Sequence, residues 1–227
     1  MKLYKNAKIF TLDPKAFYYE SGYIVVENDR IKEIGPMESL KDEDKYTKKE
    51  DLHGKIVMPG MISAHSHFYG QFVRGMQLGE TISNWQQVLS RMWWKVDKKL
   101  TLEQSYYSAL MGLIEGLKSG TTTYFDHQAS PNSTDGVLDV IKKAVLGCGA
   151  RACLSYEVSD RDGNEHALSG IHENERFIKE CEKEKLPQIS AMFGLHASYT
   201  LSDDTLEKAA EVEDQYKCGF HIHAAED

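Results

Sequence analysis

A chain of 227 residues can hold one large domain, or one domain and part of another. Its 35 acids against 27 bases give a net charge of −8 with no cluster of Lys and Arg, which argues against a nucleic-acid surface. No run approaches the roughly 18 apolar residues of a membrane span, and "MKLYKNAKIFTLD" has no signal-peptide core, so the expected setting is the cytoplasm with no membrane partner.

Residues 1–58 read as short strands. "KLYKNAKIFTLD", "YIVVENDRIKEIG" and "HGKIVM" alternate apolar with polar residues, with turn-rich pieces between them. The charged "MESLKDEDKYTKKEDL" reads as a mobile loop or a single helical turn. The expectation is a small antiparallel β unit. Pro59-Gly60 then punctuates the chain, which sets the domains at 1–58 and 59–227.

Beyond this point strands alternate with helices. "MISAHSH" is a first strand. "TLEQSYYSALMGLIEGLKSG" places Leu102, Tyr106, Ala109, Leu110, Leu113, Ile114 and Leu117 on one helical face, with Thr101 as N-cap and Gly120 as the stop. The strand "TTTYFDH" follows, then a helix near 134–147, "ARACLSYE", a helix near 164–185, "ISAMFGLH", a helix near 203–217 and "CGFHIHAA". This alternation makes βαβ units and a parallel sheet. The four cysteines, Cys148, Cys153, Cys181 and Cys218, lack C-x-x-C and disulfide-like spacing and read as reduced thiols.

Five strands in 227 − 58 = 169 residues fall short of the roughly 250 residues of a complete (β/α)8 barrel. The histidines decide between a barrel and an open sheet. His65 and His67, His127, His196 and His223 sit at the C-terminal ends of strands one, two, four and five. A barrel gathers these ends around one mouth, whereas an open sheet spreads them along an edge. The fold class is therefore read as α/β, an interrupted TIM-type (β/α)8 barrel with its first five strands present, preceded by the small β unit.

Residues i and i+2 of a strand face the same way, so His65 and His67 can offer two nitrogens to one ion. "HIHAAED" repeats the pattern with His221 and His223, and adds Glu226 three residues on. A catalytic zinc-type site needs about three protein ligands, an open water position and a nearby carboxylate. His65, His67 and His223 are the candidate ligands and Glu226 the candidate catalytic acid–base.

The stretches "VMPGMISAHSHFYGQFVRGM", "GTTTYFDH" and "HIHAAED" resemble the amidohydrolase superfamily, in its branch of cytosine, guanine and S-adenosylhomocysteine deaminases and triazine chlorohydrolases. "RMWW" (91–94) and "EVSDRDG" (157–163) look most like the SsnA-type aminohydrolases. The resemblance implies that His65 and His67 are the strand-one metal pair, His223 the strand-five ligand and Glu226 the proton-shuttling acid. It also implies that the N-terminal β unit is part of a composite sandwich built from both chain ends.

The family has a further histidine after strand six and a metal-binding aspartate after strand eight, so the chain is expected to be the N-terminal part of a longer protein. Asp227 lies on the wrong strand to be that aspartate. "QISAMFGLHASYT" lacks the lysine with which binuclear members bridge two metals; the nearest are Lys185 and Lys208. One divalent ion is expected, Zn2+ or Fe2+.

By the same resemblance His196 contacts substrate, Trp94 supplies an aromatic wall and Asp97 grips substrate, with His127 a weaker substrate-binding candidate. Glu157 and Asp160 read as charged loop residues at the mouth, and His53, His166 and His172 as surface. The function implied is hydrolytic deamination of a purine, pyrimidine or related N-heterocycle by a homo-oligomer when full-length. The alternative is a catalytically incomplete homologue or fragment acting as a structural module.

Overall fold

The computed structural model describes residues 1–77, 79 and 81–226, so the expectation for Asp227 lies outside the described residues. The chain divides into two units, Met1–Gly60 and Met61–Asp227.

In the first unit, β1 (Lys2–Phe10) and β2 (Tyr18–Glu27) pair antiparallel, and β2 pairs antiparallel with β3 (Arg30–Pro36) across the tight turn at Asn28-Asp29. The charged segment expected to be loop or one helical turn forms two 3-10 turns, Met37–Ser39 and Glu43–Lys45, and then β4 (Lys48–Asp51). Both β4 and β5 (Ile56–Val57) run parallel to β1, so the sheet is mixed and not purely antiparallel. Tyr46 explains the extra strand. It is 3% exposed and packs with Leu3, Tyr23 and Val25, which pins an otherwise polar segment to the sheet. Asn6, in the left-handed region at φ 57°, lies within the irregular register between Tyr4 and Ala7. Ala7, Ile9 and Ile24 form a second apolar cluster. Among the described residues the unit is a single five-stranded sheet.

The second unit is α/β with parallel strands. Its four-stranded sheet has the order β6 (Met61–Ser66), β7 (Thr121–Gln128), β8 (Arg151–Tyr156), β9 (Ile189–Ala191). The fourth predicted strand is broken at Met192. Its first part, β9, pairs with β8; its second part, β10 (Phe193–Ala197), pairs parallel with β11 (Phe220–His223). A bridge between Val158 and Leu195 ties β10 to the chain leaving β8. Gly194 permits this approach, because a Cβ there would lie 2.2 Å from the Tyr156 carbonyl oxygen.

Helices Leu102–Lys118, Val137–Cys148, Asn164–Glu184 and Asp203–Tyr216 connect these strands. Thr101 and Gln104 form a reciprocal capping box at the first, and Gly120 at φ 89° follows its end. Its buried face is largely the predicted one: Ala109 and Leu113 are fully buried, and Tyr106, Leu110 and Leu117 pack against the core. Ser105 and Ser108 also turn inward, while Leu102 and Ile114 are 37% and 41% exposed. Small residues let bulky partners in: a Cβ on Gly112 would meet Phe68 at 2.9 Å, and one on Gly116 would meet the Tyr124 hydroxyl at 2.1 Å. Leu113, Leu138, Ile141, Leu154, Phe177 and Phe193 fill the core, each contributing about 1.5–3 kcal/mol through burial. No helix among the described residues is long and apolar enough to cross a membrane.

Candidate metal centre and pocket

Three imidazoles from the two ends of the second unit meet at the strand ends. The Nε2 atoms of His65 and His67 are 3.0 Å apart, those of His67 and His223 3.2 Å, and those of His223 and His65 3.3 Å. Other hydrogen bonds fix which nitrogens carry protons. The Nδ1–H of His67 donates to the His127 carbonyl (2.8 Å), and the Nδ1–H of His223 donates to the His196 carbonyl (3.1 Å), because a carbonyl can only accept. The Ser155 hydroxyl donates to the Asp126 carbonyl (2.9 Å) and so accepts from His221 Nδ1–H (3.3 Å). This leaves His221 Nε2 bare to accept from His65 Nδ1–H (2.8 Å). All three facing Nε2 atoms therefore present lone pairs to one another.

Such an arrangement is repulsive unless a cation sits among them. A tetrahedral ion bound at 2.0–2.1 Å sets its ligands about 3.3 Å apart, close to the observed triangle. Burial keeps the rings neutral and ready to ligate. It lowers the His65 pKa, brings His67 to about 3, and brings His221, which backs His65, to about 4. Asp126, wholly buried on β7, accepts the Phe68 amide (2.7 Å) and the Ser66 hydroxyl (3.3 Å), fixing the backbone on either side of His67; burial raises its carboxyl to about 7.

Above the triad lies a pocket of about 400 Å³. Glu226 lines it after Ala225, whose left-handed backbone (φ 54°) turns the chain at the end of β11. The Glu226 carboxylate accepts from Tyr199 Oη (2.8 Å) and stands 3.7 Å from His196 Nε2. His196 lines the pocket too. The Thr200 hydroxyl donates to the Ala197 carbonyl (3.0 Å), so it accepts from His196 Nδ1–H (2.7 Å) and leaves Nε2 bare towards the cavity. Burial, helped by Arg161, lowers His196 to about 3.

The residues predicted from sequence divide here. His65, His67, His223, Glu226, His196 and Trp94 all line the pocket. Asp97 does not: it is fully buried, and its carboxylate is occupied by the Arg161 guanidinium, so it anchors a pocket residue and does not face the cavity. His127 does not line it either. Its ring is fully buried, stacked on His221 at 4.6 Å, with both nitrogens unpartnered. Burial holds its pKa well below the usual value.

Sequence reasoning missed several lining residues: Tyr69, Trp85, Trp93, Glu157 and Arg161. The aromatic pair 93–94 was visible, but which ring would face inward depends on irregular turns between 85 and 99. Arg161 lies over Trp94 with its guanidinium 5.3 Å from the ring centroid. Glu157 was set aside as a mouth residue; it is wholly enclosed, and burial pushes its carboxyl up to about 8.

Comparison with known proteins agrees with the arrangement. The chain is 34% identical over 224 residues to the 5′-deoxyadenosine deaminase of Methanobrevibacter smithii, covering 99% of this chain and 48% of the relative. It is 30% identical to the 5-methylthioadenosine/S-adenosylhomocysteine deaminase of Bacillus cereus, covering 98% of this chain and 49% of the relative. The chain thus spans about half the length of the curated relatives it matches. The crystal structure of guanine deaminase from C. acetobutylicum with bound guanine shares the fold at a TM-score of 0.80 and 17% identity, over 98% of this chain and 52% of that one. Atrazine chlorohydrolase from Arthrobacter aurescens, complexed with zinc, does so at 0.75 and 20%, over the same shares. Residues 56–227, which carry all three converging histidines and Glu226, match the amidohydrolase family along their whole length, and the chain belongs to that family.

Proposed function

We propose that the full-length protein containing this chain is a metal-dependent aminohydrolase that replaces the amino group of an N-heterocycle with an oxo group and releases ammonia. The observation that carries this reading is the convergence of three imidazole lone pairs within 3.3 Å of one another on the floor of a pocket walled by Glu226. A divalent ion held by His65, His67 and His223 would acidify water so that hydroxide is available near neutral pH.

The rest falls to this chain's side chains. Glu226, oriented by the Tyr199 hydroxyl, takes one proton from the attacking water and delivers it to the ring nitrogen, then carries the remaining hydroxyl proton to the amine, which departs as ammonia. His196 offers its bare Nε2 to the substrate, and Trp94 with its neighbouring aromatic side chains packs against the flat ring. His221 and the carbonyls of His127 and His196 hold the ligand imidazoles in the required tautomers. One metal is favoured because β10 carries no lysine, and zinc because the chlorohydrolase neighbour was crystallised with it. The parallel strands are read as the first five of a (β/α)8 barrel, and the N-terminal sheet as part of a composite sandwich. Their chain order and the match to solved structures about twice as long support this.

The relatives' names place purine nucleosides first among the substrates to try. Metal analysis and an ammonia-release assay on the full-length protein, with adenine- and guanine-type bases and nucleosides, test the proposal. About one equivalent of metal per chain and release of ammonia are expected. A metal-free protein inactive on all of them would overturn it in favour of a structural module.

A further inference from the structure

The pocket wall holds one carboxyl that the proposed reaction does not use. Glu157 follows β8, where its amide donates to the Gln128 carbonyl (2.8 Å) and the Val158–Leu195 bridge secures the next residue. Its side chain is only 3% exposed, yet it lines the pocket. Among the described residues the nearest nitrogens are His127 Nδ1 at 3.6 Å and His196 Nε2 at 3.9 Å. Arg161, its cationic neighbour in the wall, is engaged by Asp97 and Asp162. A mostly buried carboxyl that borders a cavity is placed to hydrogen-bond a group held there.

Glu157 Oε1, His196 Nε2 and Glu226 Oε2 form a row, with steps of 3.9 and 3.7 Å. His196 Nε2 is bare, and a carboxyl keeps one oxygen free of a proton even when neutral, so His196 and Glu157 each present an acceptor to the cavity. The steps exceed the roughly 3.3 Å ligand spacing of a tetrahedral cation, which the histidine triangle approaches and this row does not. A nitrogen bearing hydrogen, placed about 2.9 Å from each of two acceptors, spans such a gap.

We propose that Glu157 is a specificity-determining residue: with His196 it accepts hydrogen bonds from an N–H on the substrate's six-membered ring other than the amine that leaves. This deepens the aminohydrolase reading and rests on it. A lactam or a second exocyclic amine meets the requirement. The six-membered ring of adenine, apart from its leaving amine, offers only lone pairs, which would face the bare imidazole nitrogen and the unprotonated carboxyl oxygen unpaired.

The test uses full-length protein and the matched substrates adenine and 2,6-diaminopurine, as bases and 5′-deoxynucleosides, with guanine as a lactam. Wild-type kcat/KM should favour the donor-bearing rings at least tenfold, a conservative share of the discrimination that hydrogen-bonding sites achieve. Glu157→Leu, which removes both oxygens, should lose roughly tenfold to a hundredfold in kcat/KM on those rings, mainly through KM, with metal content unchanged. The wild-type comparison needs no variant and is immune to a folding defect. A wild-type enzyme that prefers adenine, or shows no preference, overturns the proposal alone. Loss of metal in Glu157→Leu overturns it by making Glu157 a ligand. A metal-free wild type inactive on every ring sinks the aminohydrolase reading and this inference with it.

Discussion

In residues 1–60 the buried side chains are Leu3, Ala7, Ile9, Tyr23, Ile24, Val25 and Tyr46, all apolar or aromatic. The second unit buries fifteen polar or charged residues among those described, including Asp97, Asp126, His127, Ser155, Glu157 and His196. Several of them cluster at the C-terminal ends of β7, β8 and β10. An unpaired buried polar group costs roughly 1–3 kcal/mol, and a sheet built only for stability avoids that cost, as the first unit does. The second unit tolerates it where imidazole and carboxyl groups converge. Buried polarity therefore separates the unit that holds the candidate site from the unit whose buried side chains are all apolar or aromatic.

The sharpest way to break this contrast is to remove a histidine from each unit. His67→Ala in the full-length protein should abolish most metal binding and nearly all turnover, since two imidazoles cannot replace the three-nitrogen set. His53, with an 80% exposed side chain in the first unit, should give an alanine variant with normal metal content and rate. Metal analysis of both proteins decides; equal metal in the two would show that the triangle is not the ion's site. Next in size is Glu226→Gln, which keeps the shape and removes the proton acceptor. Metal and substrate affinity should stay near normal while kcat falls at least about a hundredfold. An unchanged kcat would remove Glu226 from the proton path.

The two units were also unequally legible in the sequence. Strand order and helix positions in the second unit followed from apolar periodicity, and the candidate histidine triangle from two H-x-H pairs, because both signals depend only on local spacing. Asp97 and His127 do not line the pocket, because facing a cavity is a tertiary property. Asp97 is turned away by Arg161, 64 residues further on, and His127 is covered by the stacked ring of His221. Glu157 looked like an ordinary charged loop residue until the bridge between Val158 and Leu195 enclosed its neighbourhood. In the first unit β4 was hidden because "KKED" has no apolar pattern; Tyr46, just upstream, holds it in place.

Asp126 tests whether buried polarity matters beyond the ligands themselves. It accepts the Phe68 amide and the Ser66 hydroxyl, so it fixes the backbone around His67 without lining the pocket. Asp126→Ala should weaken metal affinity about tenfold to a hundredfold, the usual effect of losing an outer partner of a ligand. Competition with a chelator of known affinity measures this. Wild-type affinity in the variant would mean that the strand ends hold the loop unaided.

The smallest expected effect is a pH dependence that the first unit has no buried carboxyl to produce. Burial raises the Asp126 pKa to about 7 in the folded protein, against about 3.9 in an unfolded chain. Below about pH 4 the group is protonated in both states, and its contribution to stability is fully present. As pH rises towards 7 the unfolded state ionises first, so stability is lost across that window and levels off above it. The depressed histidines act in the opposite direction. His67 and His196, at about 3, stabilise fully above about 6.5 and lose that contribution as pH falls. Asp126→Asn leaves the histidines in place but removes the carboxyl titration, so comparing variant with wild type isolates the carboxyl. In protein stripped of metal with a chelator, the Tm of wild type minus that of Asp126→Asn should fall by a few degrees between pH 4 and 7.5. A difference that stays flat over this range would show that Asp126 is already ionised in the folded protein, held by the Phe68 amide and the Ser66 hydroxyl.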